Sequence, residues 1–228
     1  MKMINEIEAI KNRHSVRAYK DVKVEAEILN KIQSEIDLIN KHTGLHIQLI
    51  TDNKDAFDCF WGHYGNFKNV SNFIALAGKS DDGLDEKLGY YGEKLAILIQ
   101  TLGLNSCFVG LSYSKKKARV QLDKDEKLRL VLAFGYGETQ GNQHKSKDVS
   151  KIVKIEKGVG VPKWFEKGVE FAMLAPTALN QQKFEILFDG KNVQIKAKRG
   201  PYSKVDLGIV KYNFEVGAGK ENFDFENK

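Results

Sequence analysis

Cysteine is scarce: Cys59 and Cys107 are the only two, too few for a disulfide framework or a cysteine-rich zinc site, and their scarcity fits a reducing cytoplasm. Long apolar runs are missing as well. The longest, around Leu95 to Leu104, is interrupted by Gln100 and Thr101, and the opening M-K-M-I-N-E-I-E-A-I breaks its apolar residues with acids. Neither a membrane span nor the core of a signal peptide is therefore expected. Walker loops, the G-x-G-x-x-G fingerprint and His/Cys clusters with metal spacing are absent too, which leaves phosphate transfer, a dinucleotide fold and metal chemistry without support. What is present is apolar content of 42% over 228 residues, enough for one large domain or two fused small ones.

Charge is unevenly placed. Residues 1–112 carry 13 basic against 15 acidic side chains, and residues 113–228 carry 23 against 15. A basic second half can steer an anionic cofactor or hold nucleic acid, and it can equally be a solvated face. Trp164, Phe165, Tyr202 and Tyr212 among the lysines are the only support for nucleic acid, and they fit helix and strand positions equally well.

Periodicity gives most elements. Ile4, Ile7 and Ile10 predict a short opening helix, and Ile28, Leu29, Ile32, Ile36 and Ile39 predict a second one ending near Gly44. Strands are expected at 46–51 and 73–77. Between them D-C-F-W-G-H-Y-G-N-F is rich in aromatics, suited either to lining a pocket over a flat ring or to packing under a loop. Steps of three and four from Leu84 to Leu102 predict the central core helix, closed by Gly103. A short basic helix is expected over 114–122, a strand over 128–134, a polar stretch after it, and a helix over 161–174. Asp189-Gly190 between the alternating runs 184–188 and 193–197 predicts a hairpin.

Three stretches carry the chemistry. R-H-S-V-R at 13–17 places two guanidiniums, Arg13 and Arg17, around Ser15, a donor set that can grip a phosphate. L-G-L-N-S-C-F-V-G follows the core helix, with Cys107 read as a packing residue because no histidine or acid lies near it in sequence. Leu174–Leu187 ends a helix at Pro176 and opens a polar loop with Thr177, Asn180, Gln181 and Gln182 before a strand.

Together these resemble the flavin-dependent nitroreductase family: R-x-S-[VI]-R after the first helix, G-L-G-S-C-W-x-G after the core helix, and A-P-S-x-x-N-x-Q, here A-P-T-A-L-N-Q-Q. The resemblance implies an α+β fold with an antiparallel sheet packed around central helices. It also implies FMN as cofactor and NAD(P)H as reductant, with a nitroaromatic or quinone-like acceptor reduced by ping-pong hydride transfer. The implied cofactor-binding residues are Arg13, His14, Ser15, Arg17, Ser106, Val109, Gly110, Pro176, Thr177, Asn180 and Gln182. Lys145 and Lys147 match a K-x-[KR] pair that closes over the phosphate in many members. His14 stands where the family varies. The reaction belongs to the flavin, so no side chain need act as acid or base.

One departure is informative. The family's polar loop follows its second helix, where this chain has N-K-H-T-G-L-H-I-Q-L-I at 40–50 and the polar signature is absent; the loop comes instead after a later helix. A faint repeat accounts for this: 28–50 corresponds to 165–187, 73–77 to 193–197, and Leu88-Gly89 to Leu207-Gly208. The chain thus resembles a fused pseudo-dimer, with an N-terminal half at 1–145 and a C-terminal half-repeat at 146–228 in one intertwined unit. The expectation is a cytoplasmic monomer with one flavin site per chain between its halves, and neither nucleic acid nor membrane as partner. A flavin-storing protein with little turnover is the first alternative, and a basic nucleic-acid module the second.

Overall fold

A computed structural model describes residues 4–225. The chain divides into two compact units. Among the described residues, the first comprises 4–5, 12–84 and 94–143; the second comprises 6–11, 85–93 and 144–225. Compared with a single cut after residue 145, the opening helix and the first half of the core helix have moved into the second unit.

The first unit begins its regular structure with α2 (Ala26–Thr43), whose Ile32, Ile36 and Ile39 are buried on one face. Gly44 stops the helix in left-handed geometry at φ 70°, its N–H on the Asn40 carbonyl, as a residue without Cβ does at little cost. A four-stranded antiparallel sheet follows, in the order β1 (Gln48–Ile50), β2 (Asn72–Lys79), β4 (Glu126–Gly135), β3 (Asn105–Val109). Its central strand β2 is buried along both faces, Lys79 alone being exposed, which is why it reads as a continuous apolar run. One face collects Phe73, Ala75, Cys107, Val109, Val131 and Ala133 under Val16, Tyr19, Phe57 and Phe67. The 53–71 excursion between β1 and β2 holds the short helix α3 (Phe60–Tyr64).

The expected basic helix over 114–122 is not formed. Only a 3-10 turn, Lys115–Lys117, stands there, with no buried residue, and Arg119 has a positive φ of 53°. Three adjacent lysines repel one another and offer no apolar face, so nothing offsets the entropy of ordering a helix.

The second unit repeats a helix–strand–strand–helix order. α5 (Lys163–Ala172) leads into the antiparallel pair β6 (Phe184–Phe188) and β7 (Val193–Ala197), then α6 (Ser203–Ala218). The hairpin is tied by Asp189, whose Oδ1 accepts from the Lys191 and Asn192 backbone, while Gly190 takes φ 99°. A third strand, β5 (Val153–Ile155), runs parallel to β6. α1 (Glu6–Asn12) and residues 85–93 of α4 (Leu84–Thr101) complete the unit.

Within it α4 and α6 meet backbone to backbone. A Cβ on Gly89 would fall far inside contact with the Val205 carbonyl oxygen, and one on Gly208 would do the same to the Glu86 carbonyl. Gly89 aligns with Gly208 in the repeat and Glu86 with Val205, so each contact is the image of the other. Tyr90 Oη donates to Glu215 at 2.7 Å, and the Lys211 ammonium pairs with Glu86, fixing the crossing on both sides. Gly89→Ala and Gly208→Ala should each cost about 2 kcal/mol or more, because a methyl here can only be fitted by separating two backbones. Gly160→Ala, with nothing within 4 Å, should stay within about 0.5 kcal/mol of the parent. Urea midpoints of the three variants check this.

Candidate functional site

In the first unit the segment Arg13–Tyr19 lies along the sheet rather than in solvent. Val16 N–H donates to the Ser106 carbonyl at 3.1 Å, and Ser15 bridges Ser106 in parallel register. This seats R-H-S-V-R beside β3. Arg13 is buried at 4% exposure, whereas Arg17 is exposed, its guanidinium 6.0 Å from the centre of the Phe67 ring. Burial pushes the Cys107 thiol up, and Arg17, Arg13 and a hydrogen bond with Ser15 pull it back. Cys107 is buried and is a packing residue.

Around this cluster the chain is pinned on both sides. Lys68 N–H donates to the Arg17 carbonyl and Tyr19 N–H to that of Lys68, both at 3.0 Å. Gly141 packs on His14 so closely that a Cβ there would lie 2.8 Å from that residue's own. Asn105 holds the 137–140 turn, accepting from Gly137 N–H and donating to Gln140. Val109 is buried and Gly110 half-buried at the end of β3. Phe57, Phe67, His63 and Lys68 help line a cavity of about 330 Å³ next to Arg17. Of the aromatic stretch, Phe67 packs on Phe57 at 5.2 Å and helps wall this space, whereas Phe60 and Tyr64 are exposed.

The second unit gathers the other set. Pro176 and Thr177 follow α5, and the loop then adopts left-handed backbone at three non-glycine residues: Leu179 (φ 54°), Asn180 (φ 51°) and Gln182 (φ 43°). Each costs about 1–2 kcal/mol. A hydrogen-bond network offsets that strain. Gln182, buried at 3% exposure, donates to the Lys145 carbonyl and to Asn180 Oδ1 and accepts from Lys147 N–H. Its own N–H donates to Thr177 Oγ1. Lys147 Nζ donates to the Gln181 carbonyl at 2.6 Å, and Asn180 Nδ2 to that of Lys145 at 3.0 Å. Asn180 and Lys147 are thus spent on loop structure, while the Lys145 side chain is exposed.

One member of this network carries no motif. Asp206, in the first turn of α6 and 3% exposed, accepts from Ala178 N–H at 2.9 Å and from Gln181 Nε2 at 2.8 Å, and the same amide nitrogen donates to the Pro201 carbonyl at 2.7 Å. Its carboxyl is pushed up to about 6 by burial, against which the Ala178 and Gln181 bonds act.

Residues offered as a nucleic-acid platform are committed elsewhere. Trp164 stacks on Phe223 with centroids 5.7 Å apart, Phe165 is buried, and Tyr212 is buried with its hydroxyl on Glu6. Among the described residues no group of three or more His, Cys, Asp or Glu could hold a metal, and no helix is long and apolar enough to cross a membrane.

Comparison with known proteins gives the family. The family model described as "Putative TM nitroreductase" matches residues 5–218, and the chain belongs to that nitroreductase family. Among solved structures it is similar to a nitroreductase from Thermotoga maritima, at 21% identity over 100% of this chain and 91% of that one, with a TM-score of 0.69. A nitroreductase in complex with FMN from Exiguobacterium sibiricum matches at 14% identity over 66% of this chain and 97% of its own, TM-score 0.52. Another FMN complex, from Desulfovibrio desulfuricans, matches at 16% over 65% and 95%, TM-score 0.51. No curated protein matches the chain.

The second-unit network makes a direct prediction. Gln182→Ala orphans the Lys147 N–H and leaves the Lys145 carbonyl with Asn180 alone as donor, at a cost of about 1–3 kcal/mol. Tryptic cleavage after Lys145 or Lys147 should accelerate markedly in this variant, followed by mass spectrometry.

Proposed function

We propose that the protein is an FMN-dependent oxidoreductase that takes reducing equivalents from NAD(P)H and passes them to a nitroaromatic or quinone-like acceptor, with one flavin per chain. The observation that carries it is the seating of Arg13, Ser15 and Arg17 in one segment beside β3, where Ser15 bridges Ser106 and Val16 N–H reaches the Ser106 carbonyl. This is a donor set with a permanent charge of two, and it complements a phosphate or the electron-rich end of a reduced ring. FMN, when bound, supplies the hydride chemistry. The chain's own residues bind and orient. Arg13, already buried and fixed, gives a preorganised charge; Arg17, exposed over Phe67, can meet a planar ligand; Ser15 adds a hydroxyl. The cavity beside Arg17 offers the acceptor aromatic walls at Phe57 and Phe67.

We read the chain as a fused pseudo-dimer. Support comes from the repeated helix–strand–strand–helix order and from the reciprocal Gly89 and Gly208 contacts. It comes also from the 65–66% of this chain that accounts for nearly the whole of an FMN-complexed relative. A monomer is then the expected species, in the cytoplasm, with small molecules as its partners.

Purified protein should be yellow, and titration of the apo form should end at one FMN per chain with light scattering reporting a monomer throughout. Arg17→Ala should weaken FMN at least tenfold, since a hydrogen bond to a charged group contributes about 1.5–3 kcal/mol. Unchanged affinity would remove Arg17 from the site. Parallel double-reciprocal lines for NAD(P)H and acceptor would establish the ping-pong order; retained flavin that NAD(P)H cannot reduce would make the protein a flavin carrier instead.

A further inference from the structure

We propose that Asp206 is a positioning residue: its buried carboxylate holds the Ala178–Gln182 loop in its left-handed form, ready for a ligand. Three observations converge. Leu179 is 91% exposed at φ 54°, so nothing packs the loop's tip into this conformation and the restraint must come from its base. At that base both carboxylate oxygens of Asp206 are used, one on the Ala178 backbone and one on the Gln181 amide, whose second hydrogen reaches Pro201. Finally, the repeat places Lys87 opposite Asp206. The half that lacks the polar loop therefore lacks the acid as well, and its equivalent stretch 40–46 bends only at Gly44.

A buried acid of this kind costs stability. The ordinary carboxyl value of 3.8 is raised to about 6 in the folded chain, so the folded state binds this proton more tightly than the unfolded state does. The contribution is fully present below about pH 3.8 and is lost as pH rises through about 6. At neutral pH the protein keeps the charge at its own expense, the signature of a group retained for geometry rather than for stability. What faces the carboxylate is the Ala178 N–H and the Gln181 amide, which hydrogen-bond it without neutralising its charge.

Amide hydrogen exchange on the apo full-length chain tests the clamp without flavin. In Asp206→Ala, Ala178 and Gln182 amides should exchange at least tenfold faster than in the parent, with β6, β7 and the body of α6 within twofold. Asp206→Asn, which removes the buried charge, should unfold at a higher urea concentration than the parent at pH 7.5, a gain that disappears by about pH 4. FMN dissociation constants complete the test and rest on the flavin reading above: Asp206→Ala should weaken FMN about tenfold. Unchanged loop exchange in Asp206→Ala, or an Asp206→Asn chain less stable than the parent by the same amount at both pH values, overturns the proposal. So does a loop that opens with FMN affinity unaltered. A parent chain that binds no FMN at all sinks the flavin reading alone, and the exchange result still decides the clamp.

Discussion

The second unit depends on one steric constraint, the absence of a side chain where α4 and α6 cross. Two helices whose facing residues carry side chains pack about 8–10 Å apart, and only glycine lets their backbones approach more closely. Gly89 and Gly208 supply that on both partners. Once the crossing is set, the polar partners follow: Tyr90 reaches Glu215, Lys211 reaches Glu86, and Tyr212 reaches Glu6 on α1. Burial of these tyrosines holds their hydroxyls protonated far above the ordinary phenol range, so they act as donors at any pH the fold survives. Reciprocity is the further point. Gly89 meets Val205 as Gly208 meets Glu86, so neither backbone can move away without opening both contacts.

How much could be read in advance depended on how far apart the interacting residues lie in sequence. Helices with a clean apolar stripe and the Asp189-Gly190 hairpin were legible, since each is decided by neighbours within a few positions. The run 114–122 does not close into a helix, because its three adjacent lysines bury nothing and Ala118 alone is buried. β5, three residues long and half-exposed, has no periodicity to detect; it exists because β6 offers it an edge.

The same distinction runs through the site. Arg13, Ser15 and Arg17 sit within five residues, so their grouping is visible in the string itself. The roles of Asn180, Gln182 and Lys147 could not, because hydrogen-bonding side chains look alike whether they face a ligand or their own backbone. Here Asn180 and Gln182 bind the Lys145 carbonyl and each other. Asp206 lay outside every motif. The one sequence signal for it was the mismatch with Lys87 in an otherwise matching repeat, and that signal gains meaning only when the carboxylate is found 2.9 Å from Ala178 N–H.

Strain and its compensation explain why the two motifs are built so differently. Arg13–Tyr19 needs no unusual backbone: paired on one side with β3 and on the other with Lys68, it is straightened by ordinary strand-type bonds. The Ala178–Gln182 loop is the reverse. Three left-handed residues cost about 3–6 kcal/mol together, more than any single neutral hydrogen bond contributes, so the shape persists only while several bonds act at once. Gln182 supplies most of them from inside the loop, and Asp206 supplies the pair that anchors the loop to a helix. A conformation held by many modest bonds is rigid while the set is complete and opens when one central member is lost. Such a loop suits presentation of backbone groups to a ligand in fixed geometry, because the ordering entropy is already spent before the ligand arrives.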